Sequence, residues 1–431
     1  MNKLAQLLNE KLEKFNPALY EMLSDYGKSL YFPKGILSQT AEAKAKATKY
    51  NATIGMALEN NDIMALDFAM EFFNDLTKKE IFPYASVSGN PELIKLWKRK
   101  IYRDNPDLGS YEISNPIPVS GLTHGLSIFA DLFVNKDDII VLPDLYWGNY
   151  NLIFNVKKRA KIVKFPMFDF NNNFNVSAFR ETLQSMKRDK IIVILNFPNN
   201  PTGFSPDKKT INTIKDIILE KSKESKIIVL TDDAYFGLYY SEEVYKQSPF
   251  TKFANLSENV LAVKVDGATK EQYVWGWRIA FISYAIKSGT EEIYNILLEK
   301  TKGAIRASIS NPSHLAQSLL IKILKHPDYI KTIQAKKVIM EERAKLVMNL
   351  LANEKFKILW EPLPFNSGYF CCLKLKNINA EDLRNHLLNK YKVGIIAIND
   401  EVIRVAFSNV DKENILELFE IIYQGARDLA S

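Results

Sequence analysis

The chain of 431 residues contains only two cysteines and four histidines, and both shortages narrow what it can be. Cys371 and Cys372 are adjacent inside an apolar run. Neighbouring cysteines are poorly placed to bridge, so they read as small buried hydrophobes in a reducing compartment. His124, His314, His326 and His386 are scattered without ligand spacing, which disfavours a metal enzyme. No apolar stretch reaches the length needed to cross a bilayer. The opening MNKLAQLLNEKLEKF has helical periodicity and interleaved charges, but no apolar core or cleavage site of a signal peptide. A soluble cytoplasmic protein is therefore expected. Blocks of one charge are missing too: 57 basic against 50 acidic residues give a net charge of +7 spread along the chain. That is a solvated surface rather than a nucleic-acid footprint, although it suits small anions. There is no internal repeat, no low-complexity tract and no Gly/Ser linker.

What is present is an ordinary globular composition, long enough for two domains or for one large domain with a satellite. Residues 1–30 read as one or two amphipathic helices closed by the turn signal Phe32-Pro33-Lys34-Gly35. Residues 51–55 read as a short strand stopping at Gly55, and a helix begins near Glu92. From about 115 the pattern alternates. Apolar strands at 139–142, 161–165, 191–195, 227–230 and 261–265 are separated by helical segments at 123–133 and 209–221. This rhythm predicts a mostly parallel α/β sheet covered on both faces, with ligands outside the carboxyl ends of its strands. One long helix is expected over 312–351. Short strands at 369–375 and 402–407 then alternate with helices at 381–390 and 412–427, a smaller α+β unit.

Several strand ends carry unusual residues. Val119-Ser-Gly-Leu-Thr-His-Gly125 opens a helix with small residues, leaving backbone N–H groups free for a phosphate. It is neither a P-loop nor a dinucleotide fingerprint, so a nucleotide is not favoured. Asn196-Phe-Pro-Asn-Asn200-Pro201-Thr-Gly203 is heavily specified for a turn; it is either only that, or a stiff mount for an asparagine amide. Thr231-Asp232-Asp233-Ala-Tyr235 ends a very apolar strand with two acids, each of which needs a partner if buried; a helix N-cap would account for one. The fourth is the loop of VKVDGATKEQYVWGWRI, which places Lys270 after a core strand and Arg278 eight residues later. Such a lysine can be a solvated loop residue, or it can lose its charge by desolvation and attack carbonyls. Arginine close behind supplies a planar fork for a phosphate. Asp232, Tyr235, Lys270 and Arg278 together make the set that pyridoxal phosphate needs: a lysine for its aldehyde, a carboxylate for its ring nitrogen, a donor for its phenolic oxygen and an anion site.

On the motifs NNPTG, DDAY and K-x7-R in this order, the chain resembles the class I/II, fold-type I pyridoxal-phosphate aminotransferases over nearly its whole length, nearest to the aspartate and aromatic group. The resemblance implies a large domain with a mostly parallel seven-stranded sheet over 61–311. A smaller α+β domain is built from both termini, with 1–60 and 312–431 contributing. It implies that Lys270 forms the Schiff base with the 5'-phosphate cofactor and shuttles the substrate proton. Asp232 would hold the ring nitrogen, Asn200 and Tyr235 the ring oxygen, and Trp147 would stack on the ring unless it is a core tryptophan. Leu122, Thr123 and Arg278 would hold the phosphate. Tyr84 matches the tyrosine that reaches the neighbouring subunit's cofactor, which implies a homodimer. Arg404 matches the clamp for the substrate α-carboxylate, with the backbone of Gly55 close by. Two positions depart from the pattern. Gly267 stands where relatives often have a phosphate-binding serine, so either Thr269 or Thr123 compensates or the phosphate is held less tightly. Tyr273 replaces a common glycine and is expected to narrow the site.

Ile305-Arg306-Ala-Ser-Ile-Ser-Asn-Pro resembles the segment that binds a distal carboxylate across the dimer. The expected reaction is transamination of aspartate or glutamate, with aromatic amino acids as further candidates, against 2-oxoglutarate. The other reading of Arg306 is a surface or interface arginine. A β-lyase or decarboxylase on the same scaffold shares the cofactor residues. A non-catalytic effector-binding regulator would need a DNA-binding domain, for which the fifty residues before Gly55 are too few.

Overall fold

The computed structural model describes residues 1–32 and 36–430; the expected turn at 33–35 lies outside them. Seven strands form the central sheet: β1 (Ile117–Val119), β2 (Ile139–Pro143), β3 (Lys161–Phe165), β4 (Lys190–Leu195), β5 (Lys226–Asp232), β6 (Val260–Gly267) and β7 (Ala280–Ile286). Their order across the sheet is β1-β7-β6-β5-β4-β2-β3. Only β7 runs against its neighbours, pairing antiparallel with both β1 and β6. Strands β2, β4, β5 and β6 are buried almost throughout, because helices such as Leu122–Phe133 and Lys208–Lys221 cover the sheet. Burial on both faces explains why they read as continuous β-branched runs rather than as alternation. The parallel connections bring the carboxyl ends of β1, β2, β4, β5 and β6 to one side, where the candidate loops begin.

A second sheet has four antiparallel strands: β8 (Trp360–Pro362), β9 (Cys371–Leu375), β10 (Ile396–Ala397) and β11 (Val402–Val405), in the order β8-β9-β11-β10. Part of the N-terminal segment joins this end of the chain. Tyr50–Asn51 pairs in parallel with Val393–Gly394, the Gln39 amide donates to the Ala397 carbonyl, and the Ala406 N–H donates to the Ala52 carbonyl. Both cysteines are free and buried on β9.

Two expectations about elements need correction. The long helix over 312–351 is two helices, His314–Lys325 and Tyr329–Leu351. Pro327 has no N–H to continue the first, and His326 before it takes an extended conformation, as a residue preceding proline favours. The N-terminal region is three short helices, Lys3–Phe15, Pro17–Met22 and Asp25–Ser29, the first two interrupted at Asn16-Pro17. Among the described residues no helix is long and apolar enough to cross a membrane.

Candidate active site

The loops after five strands meet at one cavity of about 160 Å³. Leu122, Thr123 and Arg278 line one part of it; Trp147, Asn200, Asp232, Tyr235 and Lys270 line the rest, with Asn196 and Ala234.

The anion end is built on the first turn of Leu122–Phe133. Gly121 precedes it at φ +80°, and a Cβ there would lie 2.3 Å from Arg278 Nη2. Glycine is needed both for that conformation and to let the guanidinium rest against the helix start. The first turn contains no acidic residue and no side-chain cap, so the N–H groups of Leu122 and Thr123 stay available, while that of His124 donates to the Gly121 carbonyl at 3.1 Å. Among the described residues Arg278 has no carboxylate partner; its Nη1 donates to the Trp275 carbonyl at 3.3 Å. Thr269, next to Lys270 in sequence but not itself lining the cavity, is buried, and among the described residues its hydroxyl has no partner. Free amides, an unpaired guanidinium and an orphaned hydroxyl fit a phosphate. Gly267 is fixed by packing: a Cβ would stand 2.6 Å from Ala280 Cβ and 2.7 Å from its Cα, because the two residues are opposite each other on β6 and β7.

At the other end, Asp232 closes β5. Burial raises its carboxyl pKa, while the Tyr150 hydroxyl, donating to Oδ2 at 2.6 Å, and the nearby Lys270 pull it down. The Asn196 amide donates to the Asp232 carbonyl at 2.8 Å, and its Oδ1 accepts the Asn200 N–H at 2.9 Å. One asparagine thereby ties the Asn-Asn-Pro-Thr-Gly turn to the end of β5.

Lys270 lies on the single helical turn Ala268–Glu271 after β6, with Nζ 4.9 Å from the centroid of the Tyr235 ring. Burial lowers its pKa to about 8, against the pull of Asp232 and with the help of Arg278. Against an ordinary lysine this raises the neutral fraction at physiological pH by orders of magnitude and makes the amine a usable nucleophile toward carbonyls.

Arg404, on β11, is 2 % exposed. Its Nη1 donates to Asn200 Oδ1 and its Nη2 to the Thr53 carbonyl, both at 2.9 Å. The guanidinium also stacks over the Phe370 ring, 4.1 Å from its centroid. Its Nε has no partner, and among the described residues no carboxylate pairs with it. Gly55 sits beside it, since a Cβ there would lie 3.1 Å from Phe370 Cζ and 3.2 Å from the Tyr235 hydroxyl.

Of the expected residues, Gly55, Thr269 and Arg404 do not themselves line the cavity, although Arg404 bonds Asn200, which does; Tyr84 and Arg306 stand apart from it. Tyr84 is 91 % exposed, and Arg306 is exposed near the end of the helix Glu291–Ile309, donating to Ser310 Oγ at 2.6 Å. Tyr273 is buried at φ +56° but does not line the cavity, so the expected narrowing is absent. Its left-handed backbone is one that glycine adopts readily. Sequence reasoning missed Tyr150, Asn196 and Phe370. Asn196 was detectable, four residues before Asn200 in the same turn; Tyr150 sits one turn beyond Trp147, whose ring meets it edge-on at 5.6 Å.

Fold and cavity together are those of a fold-type I pyridoxal-phosphate enzyme. Residues 52–422 match the family Aminotransferase class I and II, and the chain belongs to that family: it is an aminotransferase, dependent on pyridoxal phosphate and acting on amino and 2-oxo acids. Among curated relatives it is 26 % identical over 310 residues to an aspartate aminotransferase of Bacillus sp. strain YM-2, covering 71 % of this chain and 73 % of that one. It is 24 % identical over 345 residues to an aspartate aminotransferase of Pyrococcus horikoshii, covering 78 % and 80 %. In fold it is similar to the crystal structure of an aminotransferase from Anaerococcus prevotii, with a TM-score of 0.80 at 22 % identity over 95 % of this chain and 100 % of that one.

Proposed function

We propose that the chain transfers the amino group of an aspartate- or glutamate-type amino acid, with aromatic amino acids as secondary donors, to 2-oxoglutarate. The observation that carries this reading is Arg404, a buried guanidinium with polar neighbours but, among the described residues, no carboxylate. A buried cation without a countercharge is costly, and a bound carboxylate supplies one in bidentate form. Gly55 leaves room for that group. Bound pyridoxal phosphate supplies an aldehyde and an electron-withdrawing ring; the chain's own residues place them. Leu122, Thr123, Thr269 and Arg278 hold the phosphate. Asp232 holds a proton on the ring nitrogen, Asn200 and Tyr235 donate to the ring oxygen, and Trp147 covers the ring face. Lys270 carries the cofactor and moves the proton at the substrate Cα.

Tyr84 and Arg306, exposed and among the described residues without a carboxylate partner, serve the site of a second copy in a homodimer, Tyr84 at the phosphate and Arg306 at the distal carboxylate. Residues 61–311 form the cofactor domain, and 1–60 with 312–431 the smaller one, a division supported by the contacts of residues 39–52 with 393–406. A cytoplasmic setting agrees with two buried free thiols. The dicarboxylate preference draws its support from the relatives named as aspartate aminotransferases.

The test is a half-reaction panel in which holoenzyme is mixed with single amino acids and the cofactor absorbance is followed. Aspartate and glutamate should convert it, and stoichiometric 2-oxoglutarate should convert it back. Pyruvate and ammonia released from a β-substituted amino acid would point to a lyase instead. Arg306→Leu should lower activity with aspartate far more than with an aromatic donor; equal losses remove Arg306 from specificity.

A further inference from the structure

The residues that follow Asp232 and Lys270 in sequence each carry a carboxylate, and neither carboxylate lines the cavity. Asp233 Oδ2 accepts from the Ser248 hydroxyl at 2.6 Å and from Lys264 Nζ. Lys264 is 1 % exposed and also meets Asp266 at 3.1 Å, two residues along the same strand. Glu271 accepts from Lys100 Nζ at 2.7 Å, and Lys100, 6 % exposed on the helix Pro91–Asp104, also pairs with Asp104 at 2.8 Å. The two lysines converge on one aromatic seat: Lys264 lies 5.0 Å and Lys100 5.4 Å from the centroid of Phe236. Trp97 links them further, with its indole N–H donating to Asp266 at 3.2 Å and its ring 5.1 Å from Lys100.

Buried ion pairs are weak contributors to stability, because desolvation offsets most of their attraction, and apolar replacements of both partners are often neutral or better. What a buried, multiply bonded pair does fix is geometry. Here each pair ends on the backbone neighbour of a site residue. Burial alone would strip the proton from Lys264, but Asp233 and Asp266 overcome it and hold its pKa above the ordinary value.

We propose that Lys100 and Lys264 are positioning residues for transamination: through Glu271 and Asp233 they fix, from outside the cavity, the backbone that aims Lys270 and Asp232. The inference rests on the reading of Lys270 as the cofactor lysine and Asp232 as the ring-nitrogen partner. Errors of about 1 Å in such placement cost about 100-fold in rate, whereas substrate binding, which falls to Arg404, is left alone.

The deciding variant is the double replacement Lys100→Met/Glu271→Leu, which leaves neither of these two partners charged and unpaired, while Asp104 keeps its pair with Arg103 at 2.7 Å. It should melt no lower than the parent and bind amino acid with unchanged KM. Its kcat should fall by about 10- to 100-fold, and it should release cofactor faster on dialysis. Normal kcat and normal cofactor retention would overturn the proposal. So would a double variant that melts well below the parent, since the pair would then serve the fold itself. Lys270→Ala is run alongside. If it keeps turnover and borohydride-fixed cofactor, the assignment of Lys270 fails. If it loses both while the double variant behaves as the parent, only the positioning role fails.

Discussion

Arg404 on β11 donates to the side-chain oxygen of Asn200 at 2.9 Å, joining the four-stranded sheet to the turn after β4. The contact brings two groups read separately in the sequence, one for substrate and one for cofactor, into a single hydrogen-bonded unit. Because Asn200 is neutral, it orients the guanidinium without satisfying its charge. Replacing Arg404 by Leu should therefore lower kcat/KM for every amino acid by about 100-fold, the loss of charged hydrogen bonds worth about 3 kcal/mol. Arg404→Lys keeps the charge but loses the fork and should recover only part of that. Steady-state kinetics across several donors decide it, and an unchanged kcat/KM removes Arg404 from carboxylate binding.

Tyr150 supports the other end of the site. Its hydroxyl stabilises the ionised form of Asp232, which burial opposes. In Tyr150→Phe that support is gone and the Asp232 pKa rises further. The carboxylate is then protonated at higher pH, so the acid limb of the kcat profile should move upward. At neutral pH kcat should fall by about tenfold, in line with a lost hydrogen bond to a charged group. An acid limb that stays in place would show that Asp232 does not titrate in that limb.

The sequence exposes the parts of this molecule whose chemistry is local. Strands β2, β4, β5 and β6 declare themselves because burial on both faces demands apolar runs, and their loops because Asn, Pro, Gly and Asp appear where such runs stop. Lys270, Asp232, Asn200 and Arg278 could be placed from spacing and resemblance. Partners contributed from afar could not: Tyr150 meets Asp232 across 82 residues, and Lys100 meets Glu271 across 171. Nothing in the order of residues separates Lys100 and Lys264 from the other basic side chains, since burial singles them out and burial is set by tertiary packing. The break at Pro327 was visible in composition, yet the apolar spacing resumes beyond it and imitates one continuous helix. Tyr84 and Arg306 lie away from the cavity of their own chain, and nothing in their local sequence says so.

A pH dependence follows from Lys270. Its folded pKa of about 8 lies below the ordinary 10.5, so between those values the unfolded chain holds a proton that the folded apoprotein lacks. Stability from this group is thus absent below about 8 and grows as pH rises toward 10.5. Lys270→Met, which never bears the charge, should make the apoprotein more thermostable than the parent at pH 7, with the gap closing toward pH 10. Capture of pyridoxal phosphate by the parent apoprotein requires the neutral amine, so its rate should climb with pH and level off above about 8. Stopped-flow absorbance reads the second effect and calorimetry the first. A flat capture rate from pH 6 to 9 would mean that deprotonation of this amine does not limit the reaction.

Gly267 and Thr269 make a paired prediction about the phosphate. Restoring a serine at 267 adds a donor but puts Cβ 2.6 Å from Ala280 Cβ, 2.7 Å from its Cα and 2.8 Å from the Ile279 carbonyl. Two of those three atoms are backbone, so β6 and β7 must separate where the Lys270 turn begins. Gly267→Ser should therefore lower both melting temperature and cofactor affinity, the opposite of what its hydroxyl alone would do. Adding Ala280→Gly removes one of the clashing atoms and should recover part of each loss. Thr269→Val keeps the shape of its side chain and deletes only the unpartnered hydroxyl. It should leave the apoprotein's melting temperature no lower than the parent's, since a buried unpartnered hydroxyl is removed, and weaken cofactor binding by about tenfold, the size of one charge-assisted hydrogen bond. Equilibrium dialysis measures both affinities. If Thr269→Val binds as tightly as the parent while Gly267→Ser binds more tightly, the phosphate is held by the helix start and Arg278 without Thr269, and the β6–β7 contact at Gly267 is looser than its distances require.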